Sequence, residues 1–420
     1  MIWRLAYRLL LWSLLPWMFF HLWWRGRRQR AYREHIPERL GWYRAKPARP
    51  VIWLHAVSVG EMRAAEPLLR ELINRYPGYE LLLTQMTPTG RDTAQQLFGG
   101  QATIVYLPYD YPGAVARFLD RFSPRLGILM ETEIWFNLVE GCARRGVPLL
   151  LANARLSEKS ARGYELVAPL TRAALAGLAA VSAQTRADAE RFAGLGARKV
   201  EITGNLKFDV AVAPQMLALG AQLKQQIGRR PVFLAASTRE GEEELVLEAL
   251  ARMRIEGLLL LLVPRHPQRF DEVAALLAKR QLSYLRRSDQ RPLPPDCQVL
   301  LGDSMGEMQA YYAACDLAFI GGSLLPYGGQ NLIEACAVGR PLLFGPHMYN
   351  FAEASQLALA AGAALEVADA AALAARAVEL LDDQAALARM SQAALAFNRA
   401  HRGATARNVA ICARLLAPPR

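Results

Sequence analysis

The stretch His55–Glu61, "HAVSVGE", closes the apolar run Val51–His55, "VIWLH", and leads into a helical pattern. Five apolar or aromatic residues in a row, without polar alternation, mark a strand buried on both faces, as in a parallel sheet. A strand that passes through a glycine into a helix is half of a βαβ unit, and such turns often hold phosphate on free backbone N–H groups. This turn ends in a carboxylate, which repels phosphate. The stretch points to an α/β fold and raises the question of what Glu61 does.

Working outward, the same alternation recurs along the chain. Strands are expected at Val51–His55, Glu80–Thr84, Thr103–Leu107, Leu126–Met130, Pro148–Ala152, Ala179–Ala183 and Val200–Thr203, with helices such as Ala64–Arg75 between them. Pro67 should kink or restart that first helix. After Asp209 the stretch "VAVAPQMLALGAQLKQQIGRR" reads as a connector with weak strand character. A second alternation follows, with strands at Val232–Ala236, Leu258–Val263, Val299–Gly302, Leu317–Ile320 and Pro341–Phe344 and helices at Glu242–Arg254, Phe270–Lys279, Glu307–Ala314 and Asn331–Ala337. The Ala-rich remainder to Leu416 is helical and could pack back across both domains.

The expected organisation is a basic, apolar anchor over 1–33, a Rossmann-like domain over 34–209, a connector over 210–230 and a second Rossmann-like domain over 231–420 with C-terminal helices. A chain of 420 residues suits two domains of this size. Two doubly wound domains place a cleft at the carboxyl ends of their strands. This is the layout of the GT-B glycosyltransferases, and dinucleotide enzymes and periplasmic binding proteins share the alternation.

Charge separates these further. The net charge of +12 is uneven: residues 1–49 hold eleven Lys and Arg against Glu34 and Glu38, a local balance of +9, so the remainder carries only +3. Basic charge beside an apolar segment suits an anionic membrane surface, and no basic stretch interleaved with aromatics follows that would suit nucleic acid. Leu9–Trp24, "LLLWSLLPWMFFHLWW", is anchor-like, with Trp12, Trp17, Trp23 and Trp24 suited to the interface. Arg25, Arg27, Arg28, Arg30 and Arg33 then hold the body in the cytosol by the positive-inside rule. No small-residue cleavage site follows the run. Whether it spans or lies in one leaflet is open at this point. Cys142, Cys297, Cys315, Cys336 and Cys412 are odd in number and widely spaced, as buried thiols in a reducing compartment are.

More specific are seven motifs in fixed order: "HAVSVGEMRAAEPLL", "METEIWFN", "NARLSEKSARGY", "GNLKFD", "AASTREGEEE", "VPRHPQRF" and "GGSLLPYGGQNLIEACAVGRPLLFGP". Together they resemble the bacterial 3-deoxy-D-manno-octulosonic acid (Kdo) transferase family over nearly the whole chain. That resemblance implies a GT-B enzyme moving Kdo, with inversion, from CMP-Kdo to the lipid A precursor (lipid IVA) in lipopolysaccharide inner-core synthesis, at the cytoplasmic face of the inner membrane. It implies Glu61 as the base that takes the acceptor's proton, where the residues alone equally suit a helix N-terminal carboxylate. Glu131 and Lys207 come over as transition-state stabilisers, with Glu133 a structural carboxylate; strand alternation sends Glu131 and Glu133 to one face.

On the donor side the resemblance assigns CMP contacts to Pro264 and Arg265, to Met305, Gly306 and Glu307 at the start of a helix, and to Asn331, Leu332, Ile333 and Glu334. Asn331 and Glu334 also have the spacing of a helix cap, and His266 fits a satisfied loop histidine. Gly321, Gly322, Gly328 and Gly329 give the loop before them room to approach a ligand. The chain departs from the family pattern with Phe136 and Leu332 in place of prolines and with Arg239 and Gln330 in place of histidines. Without a DxD motif, no metal or other cofactor is expected, and CMP-Kdo enters as substrate. Another membrane-associated GT-B enzyme using a UDP-sugar, a non-catalytic anchored binding protein and a periplasmic solute-binding protein are the alternatives.

Overall fold

The computed structural model describes residues 2–417; Met1 and Pro418–Arg420, at the outer ends of the expected anchor and second domain, lie outside the described residues, as does the side chain of Arg28. The chain divides into two compact units, residues to Val210 with those from Arg402 onward, and Ala211–His401.

The first unit is built on Val51–His55 (β1), Glu80–Gln85 (β2), Ala102–Tyr106 (β3), Pro124–Met130 (β4), Leu149–Ala154 (β5), Ala180–Ala183 (β6) and Val200–Ile202 (β7). They form a sheet of order β3-β2-β1-β4-β5-β6-β7, parallel throughout. β1 is buried along its whole length. Ile52 and Leu54 enter one core layer and Val51 and Trp53 the other, as a strand covered by helices on both faces requires. The large Trp53 ring fits because residue 127 on the neighbouring strand is glycine, where a Cβ would stand 2.8 Å from the ring.

The second unit repeats the design with Val232–Thr238 (β8), Leu259–Pro264 (β9), Tyr284–Arg286 (β10), Val299–Leu301 (β11), Leu317–Ile320 (β12), Leu342–Phe344 (β13) and Ala364–Glu366 (β14). Its order is β10-β11-β9-β8-β12-β13-β14, again parallel. β10 and β14, each a three-residue edge strand, are absent from the sequence reading.

Four further expectations change. Most of the connector expected over 210–230 is the helix Pro214–Ile227, which belongs to the second unit and packs on Met308–Ala314. Gly220 permits the close approach, since a Cβ there would lie 2.7 Å from the Ala310 carbonyl oxygen. Pro67 lies inside an unbroken helix, Val59–Arg75, that starts five residues before the expected Ala64. The helix expected from Glu307 begins at Met308, and that expected from Asn331 begins at Ile333.

Lastly, the second domain does not keep the chain to its end. The helix Ala404–Leu416 returns to the first unit, where Ala404, Val409, Ile411 and Cys412 complete the core behind β1. Asp209 caps it, accepting from the Gly403 N–H at 2.6 Å and the Thr405 N–H at 2.5 Å. Deep in the layer, the Ser182 hydroxyl donates to Asn408 Oδ1 at 2.7 Å. All five cysteines are buried and unbridged.

Asp209→Ala leaves two helix-start N–H groups unsatisfied, and the expected loss in chemical denaturation is about 1–3 kcal/mol, confined to the transition of the first unit.

Candidate active site

In both sheets the strand order reverses beside the first strand, between β1 and β4 and between β8 and β12. Loops leaving two such strands run in opposite directions and open a crevice at their carboxyl ends, which is where doubly wound sheets bind ligands. In the first unit those loops are "AVSVGE" after β1 and "ETEIW" after β4, so topology alone brings Glu61 beside Glu131 and Glu133.

Glu61 is held by its own helix start. Ser58 is the N-cap of Val59–Arg75, its hydroxyl oxygen accepting from the Glu61 N–H at 3.2 Å. The Glu61 carboxylate reaches back to accept from the Val57 N–H at 2.8 Å and the Ser58 hydroxyl at 2.9 Å. This is close to a capping box, with one carboxylate oxygen taking the N–H just before the cap. The structural and chemical readings of this residue are therefore compatible. Both hydrogen bonds favour the ionised form, yet Glu61 is pushed up to about 7, first by burial and then by the charges of Glu131 and Glu133.

Glu131 is not the last residue of an alternating strand. β4 ends at Met130, and Glu131 takes a left-handed φ of 56° while its N–H still bonds the Ala152 carbonyl at 2.9 Å. A left-handed glutamate stores strain of order 1–3 kcal/mol and turns the chain out of the sheet, so alternation does not orient Glu131 and Glu133. The buried Glu131 carboxylate instead receives Arg155 Nε at 2.8 Å and Lys207 Nζ at 3.4 Å. Glu133 accepts from the Trp135 indole N–H at 2.7 Å, and burial holds its carboxyl above the usual range.

Lys207 arrives from a different part of the chain. Asn153, at the end of β5 and also left-handed with φ 52°, accepts from the Leu206 N–H at 2.9 Å, and Asn205 accepts from the Lys207 N–H at 3.0 Å. These bonds fix the short 3₁₀ turn Leu206–Asp209 that carries the lysine. Arg155 was present in the quoted motif "NARLSEKSARGY" but received no role, because nothing local ties it to Glu131, 24 residues away. His55, which opens the deciding stretch, is wholly buried, with Nδ1 2.9 Å from Thr84 Oγ1; burial pushes it down to about 4, so it is a neutral core residue.

In the second unit a buried carboxylate joins the two reversal loops. Glu242, in the loop-to-helix turn after β8, accepts from the N–H groups of Arg239 at 2.9 Å, Ser323 at 2.9 Å, Leu324 at 3.0 Å and Gly322. The last three belong to the "GGSLL" loop after β12. Gly321 is required there, because a Cβ would stand 2.6 Å from the Ser237 carbonyl. Pro264 ends β9, and the next residue, Arg265, donates from Nε to Gln330 Oε1 at 3.2 Å, so the residue that departs from the family pattern engages the arginine expected to bind donor.

His266 is held below its usual range, by burial first and then by the guanidiniums of Arg239, Arg265 and Arg269. Arg269 is paired with Glu243 and Glu272, each at 3.0 Å, so Arg239 and Arg265 are the cations at the carboxyl ends of β8 and β9 that can meet an anion. Asn331 accepts from the Ile333 N–H at 3.1 Å and donates to Glu334 at 2.9 Å, while Leu332 and Ile333 are buried. Met305 is exposed, Gly306 has φ 85°, and Glu307 accepts from Arg287 at 3.1 Å and Ser304 at 2.8 Å. Among the described residues no group of three or more His, Cys, Asp or Glu is placed to hold a metal ion.

Two parallel Rossmann-like units, each with its polar residues gathered at the strand-order reversal, define the GT-B class. The fold is shared with a glycosyltransferase from Rickettsia africae, at TM-score 0.61 and 13% identity over 89% of this chain and all of that one. It is shared equally with a UDP-GlcNAc 2-epimerase from Neisseria meningitidis, at TM-score 0.60 and 14% identity over 87% and all of that chain. Architecture alone thus leaves the reaction undecided. Residues 34–210 match the family model for 3-deoxy-D-manno-octulosonic-acid transferase (kdotransferase), and residues 232–397 match glycosyl transferases group 1. The 3-deoxy-D-manno-octulosonic acid transferase of Bordetella pertussis is 45% identical over 97% of this chain and 98% of its own, and that of Haemophilus influenzae 37% over 96% and 97%. The chain belongs to the 3-deoxy-D-manno-octulosonic acid transferase family and is a glycosyltransferase that transfers Kdo.

Two outcomes follow from the carboxylates. In a carbon-detected NMR titration the Glu61 carboxyl should titrate near pH 7, lower in Glu133→Gln, which removes a repelling charge, and higher in Ser58→Ala, which removes a bond to the ionised form. Glu242→Gln presents an NH2 group to backbone N–H donors and should lower the denaturation free energy of the second unit by about 3–5 kcal/mol.

Proposed function

We propose that this enzyme transfers Kdo from CMP-Kdo to a lipid A precursor with inversion, at the cytoplasmic face of the inner membrane, with Glu61 as general base. The observation that carries the reading is Glu61, fixed at its helix start by Val57 and Ser58 beside a second carboxylate that two cations neutralise, with burial pushing the Glu61 carboxyl up to about 7. A base is most effective when its pKa lies near the working pH. In the reaction the acceptor hydroxyl oxygen forms its bond to the anomeric carbon of Kdo as its proton passes to Glu61. The bond from that carbon to the phosphate oxygen breaks, and its electron pair leaves with CMP.

Glu131 and Lys207 act on charge that develops at the sugar during bond breaking. Glu131 faces positive charge on the ring, and Lys207 offsets negative charge while keeping Glu131 in place. The donor lies with the second unit, where Pro264, Arg265, Met305–Glu307 and Asn331–Glu334 contact CMP and the guanidiniums of Arg239 and Arg265 receive its phosphate. With those cations available, and with a single phosphate on the donor, the reaction proceeds without a metal ion or other cofactor.

The test is to incubate purified full-length protein with CMP-Kdo and tetra-acylated lipid A precursor in the presence of a chelator and to measure product mass. Addition of Kdo is expected; product formed only from a UDP-sugar, or only after a divalent metal is restored, overturns the donor or the cofactor assignment. kcat/KM should rise with pH through about 7 as Glu61 loses its proton, and Glu61→Gln should lower kcat about 10²–10⁴-fold with the fold intact by circular dichroism.

A further inference from the structure

The N-terminal helix Ile2–Arg28 is long and apolar enough to cross a membrane. Its contacts say how it meets one. Arg4 Nη1 lies 2.8 Å from Glu140, Tyr7 donates to Asp110 at 2.9 Å, and Arg8 reaches Asn137 at 3.1 Å and Glu140 at 3.2 Å. Further along, the Tyr111 hydroxyl donates to the Leu11 carbonyl, and Leu11, Leu15, Met18 and Leu22 pack on Tyr109, Tyr111 and Ala114. Residues 4, 7, 8, 11, 15, 18 and 22 are one stripe at helical spacing. One face of the helix is seated on the first unit from end to end.

From Arg4 to Leu22 the stripe runs about 27 Å at 1.5 Å per residue, nearly the roughly 30 Å of a hydrocarbon core. Were the helix to cross the bilayer while seated, Asp110, Asn137 and Glu140 of the body would be carried to membrane depth, where ionised groups are expensive. The opposite face has the reverse character. Ile2, Leu5, Leu9, Leu10, Trp12, Trp17, Phe20, Trp23 and Trp24 are all exposed, and the one hydroxyl among them, Ser13, bonds back to the Leu10 carbonyl at 2.8 Å. Arg25, Arg27, Arg30 and Arg33 are exposed at its carboxyl end, with Arg27 4.1 Å above the Trp23 ring.

We infer that this helix does not cross the membrane but lies in the plane of one leaflet, seated on the first unit, with its aromatic and aliphatic face in the acyl chains and its arginines on anionic headgroups. An in-plane helix of this kind sits about 5–10 Å into the headgroup and acyl boundary. The occupant of the exposed face is a lipid monolayer because the apolar surface is continuous, bordered by Trp and Arg, and free of any acidic residue over Ile2–Arg28. The inference rests on the membrane association proposed above, and it fixes the body against the bilayer along the length of the helix instead of leaving it on a tether.

The test places single cysteines at Ile2, Leu5, Leu9, Trp12, Phe20 and Trp23 in the full-length protein, the native thiols being buried. Each variant is spin-labelled and added to the outside of phosphatidylethanolamine and phosphatidylglycerol vesicles, and label depth is read by paramagnetic relaxation. All six labels should report one shallow depth along the length of the helix. Depth that increases from both ends to a maximum near Trp12 overturns the inference in favour of a span. Labels that remain in water overturn it in favour of a soluble helix. Kdo transfer measured on the same preparations reads the transferase mechanism separately.

Discussion

The constraint on which this molecule depends is the reversal of strand order beside the first strand of each sheet. Parallel strands need helical crossovers, and where successive crossovers run to opposite sides their loops cannot close over the strand ends. At β1 and β4 this sets three glutamates together, a repulsive arrangement that would be unstable without compensation. At β8 and β12 it sets a glycine-rich loop against a run of acidic residues. Each unit meets its own charge problem differently.

The difference is instructive. Glu131 is compensated by the side chains of Arg155 and Lys207, which can exchange their partner for developing charge on a substrate. Glu242 is compensated by four backbone N–H groups, which cannot move without dismantling two loops. The first arrangement suits a reacting centre and the second a rigid cradle. Glu61 stands between these cases: a helix start holds it in position, and the burial and neighbouring charge that raise its pKa leave its proton exchangeable near neutrality.

Much of this was legible in the residues. "SVGE" has the spacing of a capping box, so Glu61 could be placed at a helix start, and the run Val51–His55 identified a strand buried on both faces. Arg155 was not legible, since its partner lies on another strand and an arginine in a polar loop has no periodic mark. Glu242 and Glu243 stand in the quoted motif "AASTREGEEE" with nothing in it to mark them as fully buried, Glu243 against Thr238 and Arg269. Periodicity reports which face of an element is apolar, and it is silent on a charge whose partner is distant in sequence.

The sequence by itself determined two parallel α/β units, the apolar and basic N-terminus and the ordered motifs of the family, because strand and helix periods and local turn chemistry are written in consecutive residues. Only the tertiary structure decided that the last helix returns to the first unit, that residues 214–227 belong to the second, that Arg155 and Lys207 share Glu131, and that the N-terminal helix is seated on its own domain. Each of these depends on groups far apart in the chain meeting at one place, and that meeting is set by crossover direction and packing, which no local stretch encodes.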